Sequence, residues 1–140
     1  MNPFAGLNDV SENQGGLYFD PGEYLVEVLG IKLIDSQQHR GDQLYIVECG
    51  VLEGTTRDGT AVRGGTRSWI VNMRWPSALS SIRHFLASAL GCEFADVTDE
   101  VAAGSIAADQ PLTGTRLRVE AYHVTTRAGG TFTKMKWRAE

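Results

Sequence analysis

No run of about 18 apolar residues occurs in the 140-residue chain, so no segment reads as a membrane-spanning helix. The first residues, MNPFAGLNDV, have neither the basic start nor the long apolar core of a secretory signal. Cysteine is scarce. Cys49 and Cys92 stand far apart with no C-x-x-C, which excludes a zinc ribbon and a disulfide scaffold. They are expected as buried thiols in a reducing cytoplasm, with one cross-link as the other arithmetic option. Histidine is scarcer still in useful spacing: His39, His84 and His123 form no H-x-H, H-x-x-x-H or H-E-x-x-H pattern. No glycine-rich run has the form of a phosphate cradle, and the adjacent Asp99 and Glu100 cannot share a helix face. Neither an enzyme nor a bound cofactor or metal is expected. Basic residues are also in deficit, thirteen against seventeen acids for a net charge of −4, which excludes a uniformly basic nucleic-acid binder.

Glycine, in contrast, is abundant at sixteen of 140, above the usual ~7%. With four prolines, this suggests short strands and many reversals. Residues 1–21 read as an irregular arm, with Pro21-Gly22 as the turn that opens a single domain over 22–140. Glu23 to Ile34 reads as a long curved strand buried first on one face and then on the other, with a bulge or bend at Gly30. Gln43 to Glu53 alternates through Tyr45, Val47, Cys49 and Val51. Thr66 to Arg74 follows, with Trp69, Val71 and Met73 on one face. The period then changes. From Pro76 to Leu90 apolar residues recur every three or four, which predicts a helix stopped by Gly91. Thr98-Asp-Glu-Val has the form of a capped start to a short second helix. Arg116 to Thr126 and Thr131 to Arg138 alternate again around Ala128-Gly129-Gly130. Three strands, a helix and two strands is the element order of the OB-fold. The expected class is therefore mainly β: a five-stranded OB-fold-like barrel with one α-helix between strands 3 and 4.

Charge is segregated along the chain. The stretches 1–30 and 92–110 hold ten acids and no base, leaving thirteen bases against seven acids elsewhere. A negative total is thus compatible with one basic face. On the last two predicted strands, period two puts Arg116, Arg118, Glu120 and Tyr122 on one face. It puts Phe132, Lys134, Lys136 and Arg138 together on the next strand. Cations neutralise phosphates, and flat rings or guanidinium planes stack on bases, at roughly 1–3 kcal/mol per base. The candidate nucleic-acid-binding residues are therefore Arg67, Arg74, Arg118, Lys134, Lys136 and Arg138, with Trp75, Tyr122 and Phe132 as stacking rings. Trp69 reads more readily as core, because Val71 and Met73 share its face. Lysines alternating along a half-exposed edge strand also serve to prevent aggregation, an alternative role for Lys134 and Lys136. A second functional reading, a protein-interaction or virion-structural module using the same barrel, accounts better for the two acidic stretches.

Several stretches give the chain a recognisable layout: Met1-Asn-Pro-Phe-Ala-Gly-Leu7, Gly15-Gly-Leu-Tyr-Phe-Asp-Pro-Gly-Glu-Tyr-Leu-Val-Glu-Val28 and Leu44-Tyr-Ile-Val-Glu48. Ala78-Leu-Ser-Ser-Ile-Arg-His-Phe-Leu86, Pro111-Leu-Thr-Gly114 and Gly129-Gly-Thr-Phe-Thr-Lys-Met-Lys-Trp137 complete it. In this layout it resembles a group of small bacteriophage proteins regarded as OB-fold single-stranded-DNA-binding proteins of replication and recombination modules. The resemblance implies sequence-tolerant binding of single-stranded DNA in the host-cell cytoplasm. RNA is a further expected ligand, since contacts to the 2′-hydroxyl leave no mark in a sequence. Replication or recombination proteins and a second copy of the chain are further expected partners, and no membrane is. Many such binders recruit partners through a flexible acidic tail, whereas this sequence ends Lys-Trp-Arg-Ala-Glu. The acidic segment 92–110 is the expected substitute.

Overall fold

The computed structural model describes residues 17–36, 41–125, 129 and 131–140. Its strands are β1 (Leu17–Tyr18), β2 (Gly22–Asp35), β3 (Gln43–Thr56), β4 (Ala61–Val62), β5 (Thr66–Asn72), β6 (Arg116–Thr125) and β7 (Thr131–Ala139). Between β5 and β6 come helix α1 (Ala78–Leu90), a 3₁₀ turn (Phe94–Asp96) and helix α2 (Asp99–Ser105). The chain is mainly β. Its five long strands fall where the alternation predicts them, and two-residue β1 and β4 are additions. The tail of the expected N-terminal arm is part of the sheet, since β1 pairs with β5 and Phe19 is buried in the core.

The strand order is β1-β5-β3-β2-β6-β7, with β4 attached to β3. All pairs are antiparallel except β1–β5. Among the described residues the sheet is not closed by hydrogen bonds, and β1 and β7 are its edges. Strand β2 holds the sheet together, pairing with β3 along its length and with β6 over Gly22–Glu27. Its register slips between Val28 and Gly30, leaving Leu29 as the extra residue. One inserted residue reverses the in–out alternation. Tyr24, Val26 and Val28 before the slip and Ile31 and Leu33 after it can therefore face the same core.

Where β2 parts from β6, its backbone groups find other partners. The Val28 N–H donates to the Thr115 carbonyl, and Gly114 N–H donates back to that of Val28, both at 2.8 Å. Further on, the Gln110 side chain stands in for a strand. Its Oε1 accepts from Ile31 N–H at 2.7 Å, and its Nε2 donates to the Ile31 carbonyl at 2.8 Å. This keeps a buried segment of the sheet from leaving polar groups unmade.

Two helices are present where one is expected between the third and fourth long strands. Helix α1 buries Ala78, Ile82, Phe85 and Leu86 and ends at Gly91, whose φ of 66° a glycine adopts without strain. Phe85 packs edge-on against Trp137 of β7 at 4.8 Å between centroids, and Trp69 of β5 lies 5.3 Å from Trp137. Rings from α1, β5 and β7 thus form one wall of the core, which settles Trp69 as core. The Ser88 hydroxyl donates to the Trp137 carbonyl, tying α1 to β7. Helix α2 begins at Thr98, whose hydroxyl accepts from Val101 N–H as its sequence pattern foretells. It is anchored by a 2.8 Å hydrogen bond between Ser105 and the Tyr45 hydroxyl. Burial pushes that phenol up to about 12, and burial likewise pushes the Cys49 thiol to about 12. Both cysteines are free. Among the described residues, no helix is long and apolar enough to cross a membrane.

Candidate nucleic-acid interface

Strict alternation governs the β6–β7 hairpin. Leu117, Val119 and Ala121 on β6 and Trp137 on β7 turn into the core, and the residues between them turn out. The register sets the outward residues directly opposite one another: Arg118 faces Arg138, Glu120 faces Lys136, and Tyr122 faces Lys134. Arg118, Lys134, Lys136 and Arg138 are exposed, while Tyr122 is partly buried. Successive outward residues lie about 7 Å apart along a strand. This is about twice the ~3.4 Å charge spacing of one stacked DNA strand.

The placement of Arg118 against Arg138 is unfavourable in itself, because like charges directly across a sheet repel. No ion pair among the described residues relieves either group. Arg63, just after β4, joins both in the wall of a groove of about 330 Å³ that also holds Glu23, Leu25 and Glu53. Leu25 is only 5% exposed, yet it belongs to neither apolar cluster of the molecule. Its cover comes from the long charged side chains of this groove, whose methylene stems shield an apolar floor while their heads reach water. A neighbouring groove of similar size shares Glu23 and carries Arg57, Glu120 and Tyr122. The outward face is therefore basic but studded with Glu23, Glu53 and Glu120.

Five of the nine expected residues meet on this face: Arg118, Tyr122, Lys134, Lys136 and Arg138. Three stand elsewhere. Arg67 lies at the start of β5, donates to the Thr66 carbonyl, and lines a separate groove with Arg57, Asp20 and His123. Arg74 pairs with buried Asp42 at 2.5 Å. The Asn72 amide also donates to Asp42, and Arg74 N–H donates to Asn72 Oδ1. Arg74 thereby fastens the segment before β3 to the turn after β5, a structural task. Trp75 follows it in that turn, 45% exposed. Phe132 pairs with Val124, but its side chain lies outside the described residues, as does His39.

Sequence reasoning placed Arg63 in a basic stretch without selecting it. It follows β4, which pairs with β3, so its place on the rim of the groove that reaches across β2 to Arg118 and Arg138 depends on strand pairing and not on a local signal. Of the other histidines, His84 is exposed on α1 with its ring 4.4 Å from that of Phe94, and His123 is exposed on β6. Among the described residues no group of three or more His, Cys, Asp or Glu could hold a metal ion. No family model matches the chain. Nor does any curated protein match it.

Proposed function

We propose that this protein binds single-stranded nucleic acid, tolerant of sequence, on the outward face of the β6–β7 hairpin. Arg118 and Arg138 take one phosphate position, and Lys134 and Lys136 continue the track past Tyr122, which offers a ring to a base. Arg63 adds positive charge at the far rim of the same groove. The observation that carries this reading is the unrelieved opposition of Arg118 and Arg138. A phosphate between them converts repulsion into two charge-assisted contacts. We propose an OB-like barrel as the scaffold. The sharing of β2 between β3 and β6, and the rings of Trp69 and Trp137 meeting between otherwise unpaired elements, support it. The resemblance to bacteriophage single-strand binders favours a role in replication or recombination.

The test is a titration of fluorescent oligo-dT, oligo-U and duplex DNA with the full chain at about 50 mM salt. Micromolar binding to the single strand is expected. The logarithm of affinity should fall with that of salt with a slope near −2, for about three neutralised phosphates. Arg118→Glu with Arg138→Glu should lower affinity at least tenfold. No binding at ten micromolar protein, or a preference for duplex, overturns the proposal.

A further inference from the structure

On the side away from the outward face of the basic hairpin, the helices present apolar surface. Leu79 on α1 is 71% exposed, and Leu90 and Phe94 are 46% and 38% exposed. Leu79 opens onto a groove of about 420 Å³ between α1 and α2, floored by Ile82, Leu86 and Val97 and edged by Ala102. Isolated exposed leucines are ordinary, but a large one at the lip of an apolar groove marks an interaction surface. Its charged lining is Asp99 and Arg83, and further carboxylates flank Asp99 in sequence. Glu93, Asp96, Asp99 and Glu100 are all exposed along the chain that builds the α2 wall. The cation in the groove, Arg83, is already engaged. Its guanidinium sits 4.6 Å over the Phe94 ring and donates to the Ala95 carbonyl.

We infer that this groove docks a basic amphipathic helix of a partner protein. Its apolar stripe enters between α1 and α2, and its lysines or arginines meet Asp99 at the groove and the exposed carboxylates of the segment that leads into α2. The charge pattern selects the occupant, because an acidic or neutral helix would leave those carboxylates facing like charge or none. The site is independent of the hairpin. α1 meets the Trp137 side of β7, and Lys134, Lys136 and Arg138 point the other way. A nucleic acid and a protein partner can therefore be held at once.

The probe is a fluorescein-labelled 18-residue peptide with leucine at positions i, i+3, i+4 and i+7 and lysine elsewhere. It is compared with a twin carrying glutamate for lysine and another carrying serine for leucine. Fluorescence anisotropy with the full chain should show binding in the tens of micromolar. Each twin should bind at least tenfold more weakly. Leu79→Ser, at a mostly exposed position, should weaken binding at least fivefold. Glu93→Lys with Asp96→Lys should do the same through charge. Leu29→Ser, a half-exposed leucine outside the groove, should change nothing. The inference is overturned by no binding at 1 mM, equal binding of the glutamate twin, or an unchanged affinity in Leu79→Ser. It is overturned too if Leu79→Ser abolishes self-association in sedimentation, because the occupant is then a second copy of the chain.

Discussion

Two outward faces of one sheet differ sharply. Where β3 and β5 pair around Ile46 and Ile70, residues turned away from the main core are themselves apolar, although Glu48, Ser68 and Asn72 share that face. Leu44, Ile46 and Ile70 form a second buried cluster, against which Tyr18 and Ile34 pack. On β6 and β7 the equivalent positions hold Arg118, Glu120, Lys134, Lys136 and Arg138, all exposed. The difference is written in the strands. Leu44-Tyr-Ile-Val is a continuous apolar run, as in a strand covered on both sides, whereas Leu117-Arg-Val-Glu-Ala alternates, as in a strand covered on one. A doubly covered strand supplies stability and has no side chains to offer a ligand. A singly covered one contributes half as much core and keeps a face free for binding.

The sharpest way to break this contrast is to treat the two faces alike. Ile46→Ala, though on an outward face, should cost about 2–5 kcal/mol, as for any filled core position. Lys136→Ala on the other outward face should stay within about 0.5 kcal/mol, both read by urea unfolding. Equal small effects would mean that the second apolar cluster contributes nothing.

A second prediction reverses the sense. Lys134→Glu with Lys136→Glu should lower oligo-dT affinity at least tenfold and flatten its salt slope, with the urea midpoint nearly unchanged. A large loss of stability instead would assign the lysines to protection of the β7 edge.

Arg74 sharpens the contrast at a point where sequence and structure diverge. Arg74→Ala should cost about 1 kcal/mol, because it strips a partner from buried Asp42, and leave oligo-dT affinity as it was. Lost affinity with unchanged stability would return Arg74 to the binding face.

Alkaline pH gives the mildest test. In the folded protein Tyr45 and Cys49 on β3 keep their protons to about 12, above their ordinary values of about 10 and 9. The unfolded chain therefore loses these protons first. Stability should be complete below pH 9 and decline as pH rises from 9 toward 12. Tyr45→Phe should shrink the decline above pH 10. Unfolding midpoints that stay flat to pH 11 would show that burial on β3 is not what shifts these groups.

Much of this was legible beforehand, for a definable reason. The bulge at Leu29 beside Gly30, the stop at Gly91, the cap at Thr98 and the alternation of β6 and β7 each depend on a few neighbouring residues. Their backbone preferences act locally. The candidate site was legible only where it lay within one hairpin, as for Arg118, Tyr122, Lys134, Lys136 and Arg138. Arg74 and Asp42 are separated by a strand pair, and nothing local announces their ion pair. Arg63 carries no sign that it lines the same groove as Arg118.

The sequence by itself determined the five long strands, the two helices and which face of the last hairpin is charged, because periodicity and turn chemistry act over a few residues. Only the tertiary structure decided that the strands form a sheet, unclosed among the described residues, in which β2 is shared. It alone decided that Arg118 and Arg138 stand opposed on a groove that Arg63 also lines, and that Arg74 pairs with Asp42. It also opened an apolar groove between the helices. Those outcomes depend on register between strands distant in sequence, which is set by the packing of the whole core rather than by any one segment.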